Sequence, residues 1–244
     1  MNIVSDWTRQ IENGRQPSSG DLDHHLATVH ENNAGFTEAV AWGSRDANGK
    51  NSYELLADII DEYHHSNVLD LACGSGVLLD LCNQLFGGRV SLRGIDISAA
   101  ELTLARERLA KTDIKLHRSR AQELDFIADA SVDVILCHWA LTFMDPIGPV
   151  LATAKRILKD RGVFAAIIDG ESVNAPGYIK VYDIIYAHVQ RKYPDYGIIE
   201  LGDPRVRSTR DLQKLMAKAF AGYDINIAPI VLKFGGTPKL LARE

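Results

Sequence analysis

Short apolar runs alternate with amphipathic stretches along most of this chain. Val68 to Leu71 reads as a buried strand carrying one acid, Asp70. Val77 to Phe86 follows with helical spacing and stops at Gly87-Gly88. Further strands are expected at about 90–97, 114–119 and 132–138. Ala99 to Ala110 is helical, with Ser98 as its N-cap. A helix near 147–158 ends at Lys159-Asp160-Arg161-Gly162, and the apolar run Val163 to Ile168 is a fifth strand. Strands alternating with helices predict a mostly parallel sheet covered on both faces.

The flanks read differently. Residues 1–20 are polar and loop-like, and 21–45 carry one or two short helices with Phe36, Val40 and Trp42 as apolar contacts. Asn51-Ser52 begins a helix through Ile60. Residues 171–208 break the pattern with a polar, tyrosine-rich insert, and Thr209 to Phe220 is helical. Tyr223 to Phe234 and Lys239 to Arg243, around Gly235-Gly236, read as a β-hairpin. There is no internal repeat.

The chemistry concentrates after the first strand. In Val68-Leu-Asp-Leu-Ala-Cys-Gly-Ser-Gly76, Gly74 and Gly76 form a turn whose backbone can approach a ligand closely, because neither carries a Cβ. Asp96 lies 20 residues beyond Gly76, at the end of the second strand, where a carboxylate can accept bonds from a ribose diol. A dinucleotide fold also uses such a turn, but Leu79 stands where its third glycine belongs. Asp70, just before the glycines, suits a ligand with a positive end, such as an ammonium or a sulfonium.

With these features the sequence resembles the class I S-adenosylmethionine-dependent methyltransferases. The match runs through residues 68–76, Gly94-Ile-Asp-Ile-Ser98, Arg120-Ala-Gln-Glu-Leu124 and Ser131-Val-Asp-Val-Ile-Leu-Cys-His138, and covers roughly 51–244. The resemblance implies a doubly wound α/β fold: a seven-stranded, mostly parallel sheet with one antiparallel strand near the C-terminus, plus a small helical cap. Residues 1–50 would be the cap segment, and 51–244 the cofactor-binding domain with a lid insert at 171–208. The cofactor would be S-adenosyl-L-methionine. Asp70, Ala72, Gly74 and Gly76 would surround its methionine part and Asp96 its ribose. Ile97, Ala121 and Gln122 would meet the adenine, and Cys137 would lie beside the methyl group.

The acceptor is argued from the remaining residues. No Asn/Asp-Pro-Pro-aromatic run follows the fourth strand, where nucleobase amino-methylating enzymes usually carry one; Cys137-His138-Trp139-Ala140 stands there instead. No paired-glutamate loop and no magnesium-holding acidic cluster is visible, so no metal is expected. A small organic acceptor, aromatic or apolar, remains. His138 is a general-base candidate, since an imidazole near neutral pKa can take a proton, or else a wall histidine. Asp169 is a second catalytic candidate, or a cap for the following loop. Tyr178, Tyr182 and Tyr186 recur at helical spacing. With Trp139, Tyr178 and Tyr182 are candidate substrate contacts, or else core. Cys137 is equally readable as a packed core cysteine, and His24, His25 and His30 as surface residues. A cofactor-binding protein that transfers no methyl group, or a methyltransferase acting on RNA or protein, fits the same cofactor motifs.

Bulk properties narrow this further. At 244 residues, with 46% hydrophobic and 24% charged residues, the chain can bury a full core as one domain with a smaller cap. A net charge of −5 argues against a nucleic-acid partner. Three cysteines without paired spacing suggest a reducing compartment. Neither a signal peptide nor an apolar run near 20 residues is present. A cytoplasmic protein without a membrane partner is the expectation; no sequence signal sets an oligomeric state.

Overall fold

The computed structural model describes residue 10 and residues 13–15, 18–170, 176–191 and 202–235. Two helices come first, α1 (Ser19–Asn32) and α2 (Phe36–Gly43), followed by α3 (Ser52–Ala57). Then come β1 (Asn67–Leu71), α4 (Val77–Phe86), β2 (Ser91–Asp96), α5 (Ala99–Arg108), β3 (Lys115–Arg118) and β4 (Val132–His138). After a 3-10 turn at Leu141–Phe143 the chain continues through α6 (Ile147–Ile157), β5 (Leu158–Ile167), α7 (Pro176–Val189), α8 (Pro204–Arg207) and α9 (Thr209–Ala219).

The helix starts follow from their caps. Asn51 accepts from Glu54 N–H at 2.9 Å while Glu54 accepts from Asn51 N–H at 2.7 Å, a reciprocal capping box. Ser98 caps α5 through Glu101 N–H at 3.2 Å. A second capping box, Ser18 with Asp21, opens α1. Gly87, at φ 55°, ends α4 in the left-handed region that suits glycine.

The five strands lie in the order β3-β2-β1-β4-β5, all parallel. Each face has its own core. On one, Tyr53, Leu56, Val77, Leu78, Leu79 and Leu102 from α3, α4 and α5 pack on Val68, Val134 and Leu136. On the other, Val150, Leu151, Ala154, Leu212 and Phe220 cover Leu69, Leu71, Ile135 and Cys137. Alternate residues of β1 and β4 thus enter different cores, as the two-residue strand period requires.

The expected seven-stranded sheet is not found among the described residues, which hold five strands and no antiparallel one within the sheet. Residues 223–235 run irregularly instead. Ile225 and Ile227 pack on the core, and Lys233 makes one antiparallel bridge to Arg45. Pro229 interrupts the alternating run and has no N–H to donate to a ladder. The second arm of the expected hairpin lies outside the described residues. β5 begins earlier than the sequence suggested, because Leu158 already pairs with Val132 before an irregularity that resumes at Val134↔Val163. Tyr178, Tyr182 and Tyr186 all fall on α7, as their spacing predicted. Nothing is described of the Tyr178 and Tyr182 side chains, and Tyr193 and Tyr196 lie outside the described residues. No helix among the described residues is long and apolar enough to cross a membrane.

Leu136 is fully buried and pairs with Asp70 on one side and Ala165 on the other. Leu136→Ala should cost about 2–5 kcal/mol, measured as a lower urea midpoint with unchanged slope. A loss below about 0.5 kcal/mol, the size of an ordinary surface substitution, would contradict this packing.

Candidate functional site

Strand order reverses between β1 and β4, so the loops leaving their carboxyl ends part and open a crevice. A cavity of about 230 Å³ occupies that place. Its base is the turn after β1 and the end of β2, with Asp70, Ala72, Gly74, Asp96 and Ile97 on the wall. Ala121 and Gln122 come from the loop after β3, and His138 and Trp139 from the end of β4. The two N-terminal helices line it with Leu26, Val29, His30 and Phe36.

The turn is shaped by left-handed residues: Ala72 at φ 66°, Gly74 at φ 50° and Gly76 at φ 80°. A Cβ on Gly74 would meet nothing closer than Glu101 Oε2 at 3.8 Å, so the backbone there stays open to a ligand. Gly76 has another reason to be glycine. A Cβ there would sit 3.1 Å from both Ala105 and Leu109 of α5, and Gly76 is not on the cavity wall.

Two carboxylates dominate the electrostatics. Asp70 is 1% exposed, and its Oδ1 is a buried atom without a hydrogen-bond partner. Burial, reinforced by the Asp96 charge, pushes its carboxyl up to about 8. Asp96 is held differently: Oδ2 accepts from Gly74 N–H at 2.8 Å and Oδ1 from Ser98 N–H at 2.8 Å. Burial raises its pKa, opposed by those two N–H groups. Each oxygen keeps a second lone pair for a ligand hydroxyl.

Ionic contacts tie the cap to the domain. Arg120 pairs with Asp23 at 2.5 Å, and His30 Nδ1 lies 2.8 Å from Glu101 Oε1, which also accepts from Gly35 N–H at 3.0 Å. Arg108 bridges Glu38 at 2.8 Å and the Ser75 carbonyl at 2.6 Å, and the Ser75 hydroxyl donates to Glu38. His30 is therefore no free surface residue, contrary to expectation. Its partner, Glu101, is an acid that the helical pattern placed on α5 without showing its burial.

His138 ends β4 with Nε2 2.8 Å from the Ser52 hydroxyl. Its ring stacks on Tyr53 at 4.2 Å and meets Trp139 at 4.7 Å. Burial pushes the imidazole down to about 3 and that of the Tyr53 phenol up. An imidazole so depressed is a poor proton acceptor near neutral pH.

Asp70, Ala72, Gly74, Asp96, Ile97, Ala121, Gln122, His138 and Trp139 converge on one cavity. Cys137 does not reach it: the strand alternation turns its thiol into the opposite core, where burial pushes it up to about 12. Asp169 follows β5 on exposed chain and is not on the cavity wall. Tyr53, His30, Arg120, Phe143 and Met144 line the cavity without having been singled out as site residues. Arg120 alone had a signal, as the first residue of the third matched motif.

The comparisons with known proteins agree with this geometry. A family model described as a methyltransferase domain matches residues 68–162. Demethylmenaquinone methyltransferase from Listeria monocytogenes serotype 4a is 29% identical over 127 residues, covering 51% of this chain and 53% of that protein. Its counterpart from Symbiobacterium thermophilum is 33% identical over 107 residues, covering 41% of each. The chain thus matches about half the length, or less, of these curated relatives. The YcgJ protein of Bacillus subtilis overlays with a TM-score of 0.51 at 18% identity, covering 69% of this chain and 67% of that one, a likeness of fold alone. Residues 68–162 match a methyltransferase domain, and the chain is similar to S-adenosylmethionine-dependent methyltransferases, whose cofactor is S-adenosylmethionine.

Asp70 fits that cofactor: a buried, unpartnered carboxylate oxygen on the wall awaits a cationic group, and the methionine end carries an ammonium. A consequence can be measured without ligand. The folded protein keeps a proton on Asp70 between about pH 4 and 8 that the unfolded chain has lost, so stability falls as pH rises through that window and levels off above it. Asp70→Asn should remove this slope. It should raise the melting temperature of the ligand-free protein at pH 8 and change it little at pH 4. Equal shifts at both pH values would contradict the raised pKa.

Proposed function

We propose that this protein transfers the methyl group of S-adenosylmethionine to a small, aromatic or apolar organic acceptor. The observation that carries this reading is the covered cavity: the two cap helices place Leu26, Val29 and Phe36 over the strand ends. Such a lid suits an acceptor small enough to be enclosed and apolar enough to lie against aliphatic and aromatic side chains. The curated relatives named for demethylmenaquinone, a quinone, support the same class. The net charge of −5 disfavours a nucleic-acid acceptor. Three free, buried cysteines suit a reducing compartment, and we place the protein in the cytoplasm.

When bound, the cofactor would supply a methyl carbon that the acceptor attacks in line, the S–CH3 bond breaking and the thioether S-adenosylhomocysteine leaving. The chain's residues bind and orient. Asp70 would face the ammonium, and Asp96 would accept from the ribose diol while the N–H groups of Gly74 and Ser98 hold its oxygens in place. Ile97, Ala121 and Gln122 line the part of the cavity that would hold the adenine. Tyr53, His138 and Trp139 form an aromatic wall on the acceptor side. The cap excludes water, its ionic contacts holding the enclosing side chains in place.

Incubation with methyl-labelled S-adenosylmethionine and a panel of phenols, naphthols and quinols should put label into the organic extract. Label found only in RNA or protein would overturn the small-acceptor reading. Asp96→Ala should weaken S-adenosylhomocysteine binding at least tenfold by calorimetry, on the order of 2–4 kcal/mol for charge-assisted bonds to a diol, with the circular dichroism spectrum unchanged. Unchanged affinity would mean that this acid does not hold the ribose.

A further inference from the structure

The hydrogen bond between His138 and Ser52 decides what the imidazole can offer the cavity. Ser52 is the first residue of α3 and is fully buried. Its hydroxyl lies 2.8 Å from His138 Nε2 and makes no other hydrogen bond among the described residues. Two arrangements are open to the pair. If Nε2–H donates to the hydroxyl oxygen, the hydroxyl hydrogen is left buried without an acceptor, a costly arrangement. If the hydroxyl donates to Nε2, both groups are satisfied and the ring proton resides on Nδ1. The second arrangement wins because only it leaves no buried donor unused.

Nδ1 has no hydrogen-bond partner among the described residues, yet it is not one of the buried unsatisfied atoms. It therefore keeps accessible surface on a residue that lines the cavity. Tyr53 and Trp139 contact the imidazole ring and limit its rotation. The ring is thus held with one nitrogen committed to α3 and an N–H left free. Burial holds the ring neutral, which keeps the tautomer intact across the working pH range.

We propose that His138 is a neutral hydrogen-bond donor, through Nδ1–H, to an oxygen of the methyl acceptor, with Ser52 fixing its tautomer, and that the acceptor is therefore a ring bearing a phenol- or enol-type hydroxyl. This rests on the small-acceptor reading above and narrows it. The acceptor enters as its anion, having lost the hydroxyl proton to bulk water, and a fixed N–H donor stabilises that oxyanion, so no proton is stored on the imidazole. His138 positions and activates the acceptor as a donor, while Ser52 acts only through it as a positioning residue. The same donor has no use for an apolar acceptor without an oxygen.

The test has a spectroscopic arm and a kinetic arm. Two-bond ¹H–¹⁵N correlation of the histidine rings in the wild-type protein, with His138 assigned by His138→Gln, should show the Nδ1–H tautomer unchanged from pH 5 to 9. In Ser52→Ala the same signals should shift toward the Nε2–H form. An Nε2–H tautomer or an imidazolium at pH 7 in the wild type overturns the proposal, whatever the acceptor proves to be. In the kinetic arm, with a phenol or quinol that accepts label, His138→Ala should lower kcat by about 10²–10³-fold, the usual loss of one oxyanion donor. His138→Gln, whose amide can still donate, should recover to within about tenfold of wild type. A Gln variant as inactive as the Ala variant means a proton acceptor and overturns the donor role. An Nδ1–H tautomer in a protein that methylates only RNA or protein overturns the acceptor assignment and the small-acceptor reading together, while leaving the tautomer standing.

Discussion

Asp70 ends its strand with a carboxylate that has left water and found no partner for one of its oxygens. In a ligand-free domain this is a liability, because desolvation disfavours the charge and Asp96 repels it. The surrounding structure tolerates it: β1 is locked between β2 and β4, and both neighbouring cores are apolar. A ligand that brings a positive group converts the liability into binding energy, since the desolvation has already been incurred on folding. Stability given up at this position is thus available as affinity for a ligand with a positive group.

The glycines show how the site is made room for. In the dinucleotide fingerprint the third glycine lets helix and strand approach closely. Here α4 carries Leu79 at that point, and the strand supplies the glycine instead. A Cβ on Gly94 of β2 would lie 2.6 Å from Leu79 Cδ1 and 2.7 Å from Cys73 Sγ. The close approach is the same, with the small residue on the other partner. Gly76 serves the packing of the turn on α5, while Gly74 keeps the backbone open to the cavity, so neighbouring glycines of one motif have separate reasons to lack a side chain.

Ion pairs hold the N-terminal helices beside the buried Leu22 and Ala41 and the Trp42–Tyr53 ring contact. Asp23–Arg120, His30–Glu101 and Glu38–Arg108 join three points of the N-terminal helices to the loop after β3 and to two positions on α5. Such pairs, partly exposed, are each worth little and are screened by salt. Together they orient the helices whose apolar residues line the cavity.

Local pattern alone determined most of the elements, and the family resemblance pointed to most of the residues that line the cavity. β1 and β4 match their expected spans, α4 runs from Val77 to Phe86 as read, and Asn51 and Ser98 cap the helices they were expected to start. These features depend on neighbours within a few residues, and the glycine turn with its two acids has a chain-local geometry. Tertiary structure decided what depends on distant partners. The burial of Glu101 beneath His30, the Ser52 contact that sets the state of His138, and the turning of Cys137 away from the cavity each join segments that no periodicity connects. The C-terminal run alternated like a strand, yet Pro229 and the pull of Ile225 and Ile227 into the core left residues 223–235 irregular. Periodicity records which side of an element is apolar; which partner meets that side is settled only when the chain packs.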